Sequence, residues 1–347
     1  MTASPIPHAA FPFPVLVADI GGTNARFALV AAADAPTGAA ARVPTADHAG
    51  FFEAARAALP LEGATRPRSA VLAVAGPVTG ERIPLTNADW VIEPRKLMAE
   101  LDLDRVLVLN DFEAQALALP GLDGDHLQQI GPGTRIAQAP QVVLGPGTGL
   151  GAAAMIHAAG RWVPVPGEGG HVELGPVSAE DYRVWPHIER VGGRIGAEQI
   201  ISGSGLLRLA RAVCAAEGAT RDFSAPGDVT SAADAGDEIA NRTLALFAHA
   251  LGRVAGDFAL TFLARGGVFL GGGIPPRIER HLVDGGYRAA FEAKVPHDGL
   301  MATIPTFLVR HDAPALEGLA DFARTPDRFA VDLDGRMWTR AAADRPK

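Results

Sequence analysis

Two glycine-rich turns in this sequence have the composition of phosphate-binding loops. Asp19-Ile-Gly-Gly-Thr-Asn24 follows an apolar run, and so does Gly145-Pro-Gly-Thr-Gly-Leu-Gly151. Glycine lets successive backbone N–H groups approach a phosphate, and Thr23 and Asn24 add side-chain donors. Asp19 could hold Mg²⁺ through water. For the first turn the alternative is an ordinary hairpin, because Gly-Gly is also a good turn pair.

A third glycine-rich segment, Leu270-Gly-Gly-Gly-Ile274, ends an apolar run and precedes Pro275-Pro276. Proline at this position can start a helix, so the segment predicts a turn between a strand and a helix. Its backbone could approach the flat adenine or the ribose of a nucleotide. A plain strand-to-helix turn is the alternative.

Asn110-Asp111 lies at the end of an apolar strand and before a helical run. Ligands of α/β sheets bind at the carboxyl ends of strands, and a carboxylate there could accept the proton of an attacking hydroxyl. Asp111 is also the expected N-cap of the helix. The two roles coexist only in part, because an N–H bond to a carboxylate lowers its basicity.

A loop rich in glycine, from Pro166 to Glu173, carries two carboxylates and an imidazole. Sugar hydroxyls need planar acceptors and donors, which Glu168 and His171 provide. The alternatives are a metal site, for which a partner cluster is missing, and a solvated loop. Glu198 opens a further polar run and, by itself, is interpreted as structural.

Strand-like and helix-like runs alternate along the chain, which predicts an α/β fold. The predicted strands are 15–20, 25–30, 69–75, 105–109, 141–144, 150–156, 267–270 and 303–309. The predicted helices are 50–59, 94–101, 112–119, 203–216, 237–264 and 313–323. Residues 1–13 and the end of the chain are expected to be loose.

The composition excludes several classes of function. The chain has 347 residues, a net charge of -8 and one cysteine, Cys214, which we interpret as a buried helical thiol. An acidic chain without a basic stripe is a poor nucleic-acid binder, and a single cysteine excludes an intramolecular disulfide and a cysteine-based zinc site. Neither a signal peptide nor an apolar stretch of about 18 residues is present, so we expect a soluble, cytoplasmic protein without a membrane partner.

Taken in order, the motifs resemble the bacterial glucokinase family of the sugar kinase/Hsp70/actin superfamily. The matching segments are Asp19-Ile-Gly-Gly-Thr-Asn-Ala-Arg26, Leu109-Asn-Asp-Phe112, Gly145-Pro-Gly-Thr-Gly-Leu-Gly151, Pro166-Gly-Glu-Gly-Gly-His-Val172, Ala197-Glu198 with Ser202-Gly203, and Gly267-Val-Phe-Leu-Gly-Gly-Gly-Ile274. The resemblance covers roughly residues 15–325. The cysteine-rich zinc motif of the related ROK sugar kinases is absent from this sequence.

The resemblance implies a two-domain, actin/hexokinase-like (ribonuclease H-like) fold with an interdomain cleft. The small domain would comprise residues 14–121 and 312–332, and the large domain residues 122–311. Residues 1–13 and 333–347 would be flexible extensions. A homodimer is also implied.

The resemblance also assigns roles to individual residues in the transfer of a phosphoryl group from ATP, with Mg²⁺, to D-glucose. Asp111 would be the catalytic base, and the sugar would be held by Asn110, Asp111, Glu168, His171 and Glu198. Asp19 would serve the Mg²⁺ ion through water. The nucleotide would contact Asp19, Gly21, Gly22, Thr23, Asn24, Gly147, Thr148, Gly149, Gly271 and Gly272. Thr86, Asn87 and Trp90 match a family loop near the sugar.

Three alternatives remain open from the sequence. A kinase for another hexose or an amino sugar would use the same scaffold. A non-catalytic sugar-sensing regulator usually adds a DNA-binding module, for which the segment before Val15 is too short. A nicotinamide-dependent dehydrogenase requires a Gly-x-Gly-x-x-Gly turn that opens a helix, whereas the turn here precedes another strand.

Overall fold

The structure is a computed structural model that describes residues 10–86 and 88–340. Its strands are β1 (Val15–Ile20), β2 (Asn24–Val30), β3 (Ala41–Pro44), β4 (Ser69–Val74), β5 (Ile83–Pro84), β6 (Val91–Ile92), β7 (Arg105–Asn110), β8 (Leu127–Ile130), β9 (Gln141–Pro146), β10 (Leu150–Ala158), β11 (Arg161–Gly167), β12 (Gly267–Leu270), β13 (Thr306–Val309) and β14 (Met337–Thr339). Its helices are α1 (Phe51–Ala58), α2 (Pro94–Leu101), α3 (Asp111–Ala118), α4 (Ala179–Val184), α5 (Gly203–Glu217), α6 (Pro226–Asp234), α7 (Glu238–Phe262), α8 (Glu279–Val283), α9 (Gly286–Glu292), α10 (Asp298–Thr303) and α11 (Pro314–Arg324).

Contacts divide the described residues into two compact units. The first contains the residues up to Leu122, Met155–Pro166, and the residues from His311 onward. The second contains Asp123–Ala154 and Gly167–Arg310. Residues 155–166 group with the first unit, although the expected large domain included them. Their contacts explain this, since the Ala330 N–H donates to the Trp162 carbonyl at 2.8 Å.

The first unit is built on a six-stranded sheet with the order β14-β7-β4-β1-β2-β3. Strands β1, β4 and β7 are parallel and buried, as their nearly continuous apolar sequences predict. Ile20 lies level with Val74, and Val74 lies level with Asn110. The carboxyl ends of these three strands therefore share one edge of the sheet.

The second unit contains the parallel strands β9, β12 and β13, which belong to a sheet with the order β11-β10-β9-β12-β13-β8. Leu144 lies level with Leu270, so the glycines that follow these two residues start from adjacent strand ends. Helix α7 is 25 residues long and buries residues on more than one face, as its sequence predicts. Cys214 is buried in α5, and burial raises the pKa of its thiol, which confirms the buried helical thiol.

The ends of the chain depart from the expected flexible extensions. Phe11 is buried and makes an edge-to-face contact with Phe322. Strand β14 pairs antiparallel with β7, and its Trp338 is buried. Packing against the rest of the first unit removes these aromatic side chains from water. This burial is favourable enough to order a short segment of chain. Residues 1–9 and 341–347, also expected to be flexible, lie outside the described residues.

No helix in the described ranges is long and apolar enough to cross a membrane.

Candidate active site

The first glycine-rich turn joins β1 to β2 and is a hairpin, the alternative that the sequence left open. The Gly21 N–H donates to the Asn24 carbonyl at 3.0 Å. The turn is tied to a neighbouring segment because Thr45 donates its hydroxyl to the Gly22 carbonyl at 2.7 Å and its N–H to the Thr23 carbonyl at 3.0 Å. These hydrogen bonds fix the backbone of the turn. That the turn faces a phosphate stays a prediction.

Asp19 lies on β1 directly before this turn, opposite Arg26 on β2. The Arg26 Nη1 lies 3.4 Å from Asp19 Oδ2, and the Asp19 side chain is 18% exposed. Burial raises the pKa of Asp19, and the charge and hydrogen bond of Arg26 oppose that rise without cancelling it. A carboxylate in this condition would gain from a second cation, so Asp19 fits a magnesium-bound nucleotide. Among the described residues, no group of three or more His, Cys, Asp or Glu side chains could hold a metal ion without other ligands.

The end of β7 corrects the predicted helix cap. The N-cap of α3 is Asn110 and not Asp111, because the Asn110 Oδ1 accepts from the N–H groups of Phe112 at 2.9 Å and Glu113 at 3.3 Å. Asn and Asp are equally good N-cap residues in general. The extended φ/ψ angles at position 110 identify Asn110 as the cap. Asp111 is the first residue of the helix, and its Oδ1 accepts one N–H bond, from Phe112 at 3.0 Å.

A cavity of about 690 Å³ opens beside Gly22 in the first unit. Trp90 lines it and donates its ring N–H to the His48 carbonyl at 3.0 Å. Thr86 lines it too, in agreement with the family loop identified in the sequence, whereas Asn87 lies outside the described residues. Thr45, His48 and Asp89 also line the cavity. Sequence reasoning missed Thr45 and His48, since neither lies in a recognisable motif.

In the second unit, the second glycine-rich turn is locked to Glu198. The Gly147 N–H donates to the Gly149 carbonyl at 2.8 Å, which closes the turn. Glu198 Oε2 accepts the Leu150 N–H at 2.8 Å. A Cβ at position 149 would lie 2.5 Å from the same oxygen, so only glycine allows this approach. Glu198, interpreted as structural from its own sequence position, therefore supports the turn directly.

The third glycine-rich segment lies against the second turn. The Gly271 N–H donates to the Leu144 carbonyl at 2.8 Å, and the Ile274 N–H donates to the Pro146 carbonyl at 3.2 Å. Gly272 has a φ of +81°, and a Cβ there would lie 2.5 Å from the Pro146 carbonyl oxygen. Both the left-handed backbone and the close approach require glycine. The two glycine-rich segments therefore lie against each other.

Glu168 and His171 occupy an exposed loop of the second unit. His171 Nε2 lies 3.8 Å from Glu168 Oε2. The loop is joined to Glu198 through the backbone, because the Glu198 N–H donates to the Gly170 carbonyl at 2.8 Å. His171 and Glu198 both line a cavity of about 340 Å³. The structure therefore brings these two predicted residues together, with Glu168 beside them.

Arginine side chains that the sequence did not single out line the same cavity. Arg194 donates to the His171 carbonyl at 3.2 Å and to Glu173 Oε1 at 2.9 Å. Arg208 donates to the Gln199 carbonyl at 3.0 Å. The guanidinium groups of both arginines therefore form hydrogen bonds with loop carbonyls, and that of Arg194 also with a carboxylate. An arginine at such a position has no signature in a single sequence, so no signal could have identified it.

The predicted residues thus fall into two groups. The first unit holds those at the carboxyl edge of its sheet, which are Asp19, Gly21, Gly22, Thr23, Asn24, Asn110 and Asp111. The second unit holds the remainder, which are Gly147, Thr148, Gly149, Glu168, His171, Glu198, Gly271 and Gly272. Each unit therefore holds a glycine-rich turn together with at least one carboxylate.

Comparisons with known proteins identify the family of the chain. A family model described as Glucokinase matches residues 16–326. A glucokinase from Brucella suis is 52% identical over 330 residues, which cover 95% of this chain and 96% of the relative.

Solved structures show the same fold. A glucokinase from an Antarctic psychrotroph superimposes with a TM-score of 0.81 at 33% identity, over 90% of this chain and 99% of that one. A ROK family glucokinase from Streptomyces griseus, solved with glucose and AMPPNP, has a TM-score of 0.60 at 22% identity, over 90% of this chain and 99% of the other. At that identity the second likeness concerns the fold alone. The predicted α/β fold of the actin-like type is confirmed, and the chain belongs to the glucokinase family.

Proposed function

We propose that this protein transfers the γ-phosphoryl group of ATP to the 6-hydroxyl of D-glucose, which yields glucose 6-phosphate and ADP. The observation that carries the proposal is the position of Asp111 at the first residue of α3, at the carboxyl end of β7. Asn110 supplies the helix cap by accepting the N–H groups of Phe112 and Glu113. The carboxylate of Asp111 is therefore not needed as the cap, and it lies at the strand end where ligands of α/β sheets bind.

In the proposed reaction, Asp111 accepts the proton of the 6-hydroxyl as that oxygen attacks the γ-phosphorus in line. A new O–P bond forms and the bond to ADP breaks. Most catalysis of phosphoryl transfer comes from positioning and from stabilising negative charge. Glucose is oriented by Asn110, Glu168, His171 and Glu198, whose carboxylates and imidazole suit neighbouring hydroxyl groups.

The nucleotide is proposed to lie on the glycine-rich segments. Gly21, Gly22, Thr23, Asn24, Gly147, Thr148 and Gly149 face the phosphates, and Gly271 and Gly272 face the adenosine. The ROK glucokinase with bound AMPPNP supports ATP as the donor, since it has the same fold.

Mg²⁺ fits the site at Asp19, where the charge of the carboxylate is only partly balanced by Arg26. A Mg²⁺ ion held by one carboxylate, water and the phosphates is a common arrangement, and it would neutralise charge on the transferred group. We expect Asp19→Asn to raise the Mg²⁺ concentration needed for half-maximal turnover.

The family resemblance also favours a homodimer, which sedimentation equilibrium of the purified chain would test.

The proposed substrate is tested with purified protein, Mg·ATP and a panel of sugars in an assay for ADP release. D-glucose, D-mannose, D-fructose and N-acetyl-D-glucosamine form the panel, and glucose 6-phosphate is verified as the product. We expect the highest kcat/KM for glucose. A higher kcat/KM for another sugar would keep the proposed kinase activity and replace glucose as the proposed substrate. ATP binding without turnover on any sugar would favour a sensing role.

A further inference from the structure

The C-terminal segment lies beyond the residues that the family model matches, yet it is part of the first unit. Strand β14 pairs with β7 so that Trp338 lies opposite Val106. The Arg336 carbonyl also accepts the Val108 N–H at 3.0 Å. The segment is thus fixed along the strand that ends at Asn110.

Arg336 links this segment to helix α3. Its Nη1 donates to Glu113 Oε2 at 2.6 Å, and its Nη2 donates to the Asp332 carbonyl. The Glu113 side chain is 1% exposed and that of Arg336 is 15% exposed. The ion pair is therefore nearly removed from water, where loss of one partner is costly because the other charge remains buried.

Glu113 in turn belongs to the cap of the helix that carries Asp111. The Glu113 N–H donates to Asn110 Oδ1 at 3.3 Å, so Glu113 is one of the two residues whose N–H groups the cap accepts. Glu113 therefore lies in the same first turn of α3 as Asp111. Burial raises the pKa of Glu113, while the charge and hydrogen bond of Arg336 oppose the rise. Arg336 thus helps to keep the buried carboxylate of Glu113 ionised.

We infer that Arg336 is a positioning residue for Asp111. Arg336 acts by pairing with Glu113, and this pair fixes the first turn of helix α3. The inference rests on the proposed function, in which Asp111 is the catalytic base. Without Arg336, the buried Glu113 must take up a proton or turn toward water, and the first turn of α3 is disturbed. The direction of the Asp111 carboxylate then changes, and with it the rate of proton transfer.

The test compares kcat, both KM values and the melting temperature of Arg336→Met with those of the wild type. A small displacement of a catalytic group can lower the rate by about 100-fold, so we expect kcat to fall by about 10- to 100-fold. The KM for ATP should stay near the wild-type value, because most of the proposed nucleotide residues lie in other segments. A purely structural role would lower the melting temperature and leave kcat unchanged.

Two further variants isolate the mechanism. Glu113→Gln combined with Arg336→Met removes the unpaired buried charge and keeps a side chain of nearly the same shape, so it should recover most of kcat. Arg340→Met is the matched control. Arg340 lies just after the same strand, bonds to the Met98 carbonyl and pairs with Asp102 at 2.5 Å. Its loss should lower the melting temperature with kcat unchanged.

The inference is overturned if folded Arg336→Met has the kcat of the wild type, or if the double variant is no faster than Arg336→Met. Should Arg336→Met fail to fold, Arg336→Gln replaces it, and its kcat is also expected to fall. A wild-type kcat in Arg336→Gln would likewise overturn the inference. Asp111→Asn is assayed in parallel. If that variant keeps turnover, the proposed base is wrong. If it loses turnover while Arg336→Met does not, only the present inference fails.

Discussion

Asn110 and Asp111 divide two tasks that one carboxylate would perform badly together. The amide oxygen of Asn110 accepts the N–H groups of Phe112 and Glu113, and an amide has no basicity to lose. The carboxylate of Asp111 accepts the Phe112 N–H and is not the N-cap acceptor. It lies at the carboxyl end of a strand, where ligands of α/β sheets bind, which places it for the proton transfer of the proposed reaction.

At Glu198, we expect the substitution by Gln to raise the KM for glucose by about 10- to 100-fold. A hydrogen bond to a charged group contributes about 1.5–3 kcal/mol, and each 1.4 kcal/mol corresponds to about tenfold in affinity. Gln keeps an oxygen for the Leu150 N–H, so the turn should survive. Steady-state kinetics with varied glucose measures the effect.

Glu173→Gln serves as the control for this variant, because Glu173 pairs with Arg194 at an exposed position of the same unit. Its KM for glucose should change little. Equal KM values in wild type and Glu198→Gln would remove Glu198 from the proposed sugar site.

The sequence indicated candidate site residues only where a motif contains them. Asp19, Asp111 and the glycines stand in ordered segments, and the chain's membership of the family agrees with that reading. The choice of Asn110 as the cap was not predictable, because Asn and Asp are equally good caps and only the backbone angles distinguish them. Glu198 received a structural interpretation because its partner, the Leu150 N–H, is 48 positions away.

At the scale of elements, the second glycine-rich turn couples the proposed nucleotide and sugar residues. A methyl group at position 149 would meet the Glu198 carboxylate at 2.5 Å, whereas one at position 147 would meet no atom within 4 Å. The two glycines of one turn therefore make a matched pair of variants.

We expect Gly149→Ala to raise the KM for glucose, since the carboxylate must leave its bond to the Leu150 N–H. Gly147→Ala should leave the KM for glucose near the wild-type value and raise the KM for ATP, because the added methyl group would stand where a phosphate is proposed to bind. Kinetics with each substrate varied in turn distinguishes the two. The same KM for glucose in both variants would contradict the coupling.

Long apolar strands and amphipathic helices were the elements that the sequence predicted well. The predicted strand at 267–270 and the predicted helix at 94–101 have the bounds that the structure shows. Strand β14 was missed because three residues flanked by charges give no periodic pattern. Its order comes from pairing with β7 and from the burial of Trp338, which are tertiary effects.

At the scale of the whole molecule, buried histidines connect stability to pH. His281 is 7% exposed, and its Nε2 lies 3.1 Å from Asn241 Oδ1. Burial, followed by the charge of Arg280, lowers its pKa from the ordinary 6.5. Burial lowers the pKa of His249 as well. The unfolded chain therefore binds more protons than the folded chain at pH values just below 6.5.

Consequently, the free energy of unfolding should decrease as the pH falls through about 6.5 toward the lowered pKa values of these histidines. His281→Gln should make this decrease shallower, because one histidine no longer takes up a proton on unfolding. Urea unfolding between pH 8 and pH 5 measures it. His187→Gln, at an exposed position, is the control. Parallel curves for wild type and His281→Gln would refute the assignment.

The central claim is that Asp111 is the base of a glucose-phosphorylating enzyme, and kcat for Asp111→Asn tests it most directly. Asn keeps an oxygen for the Phe112 N–H, so the fold should persist, which the melting temperature checks. Removing a positioned general base typically lowers the rate by about 10²- to 10⁴-fold. We predict a loss of kcat in that range, with glucose affinity by calorimetry changed far less. Near-normal turnover in the folded variant would contradict the account.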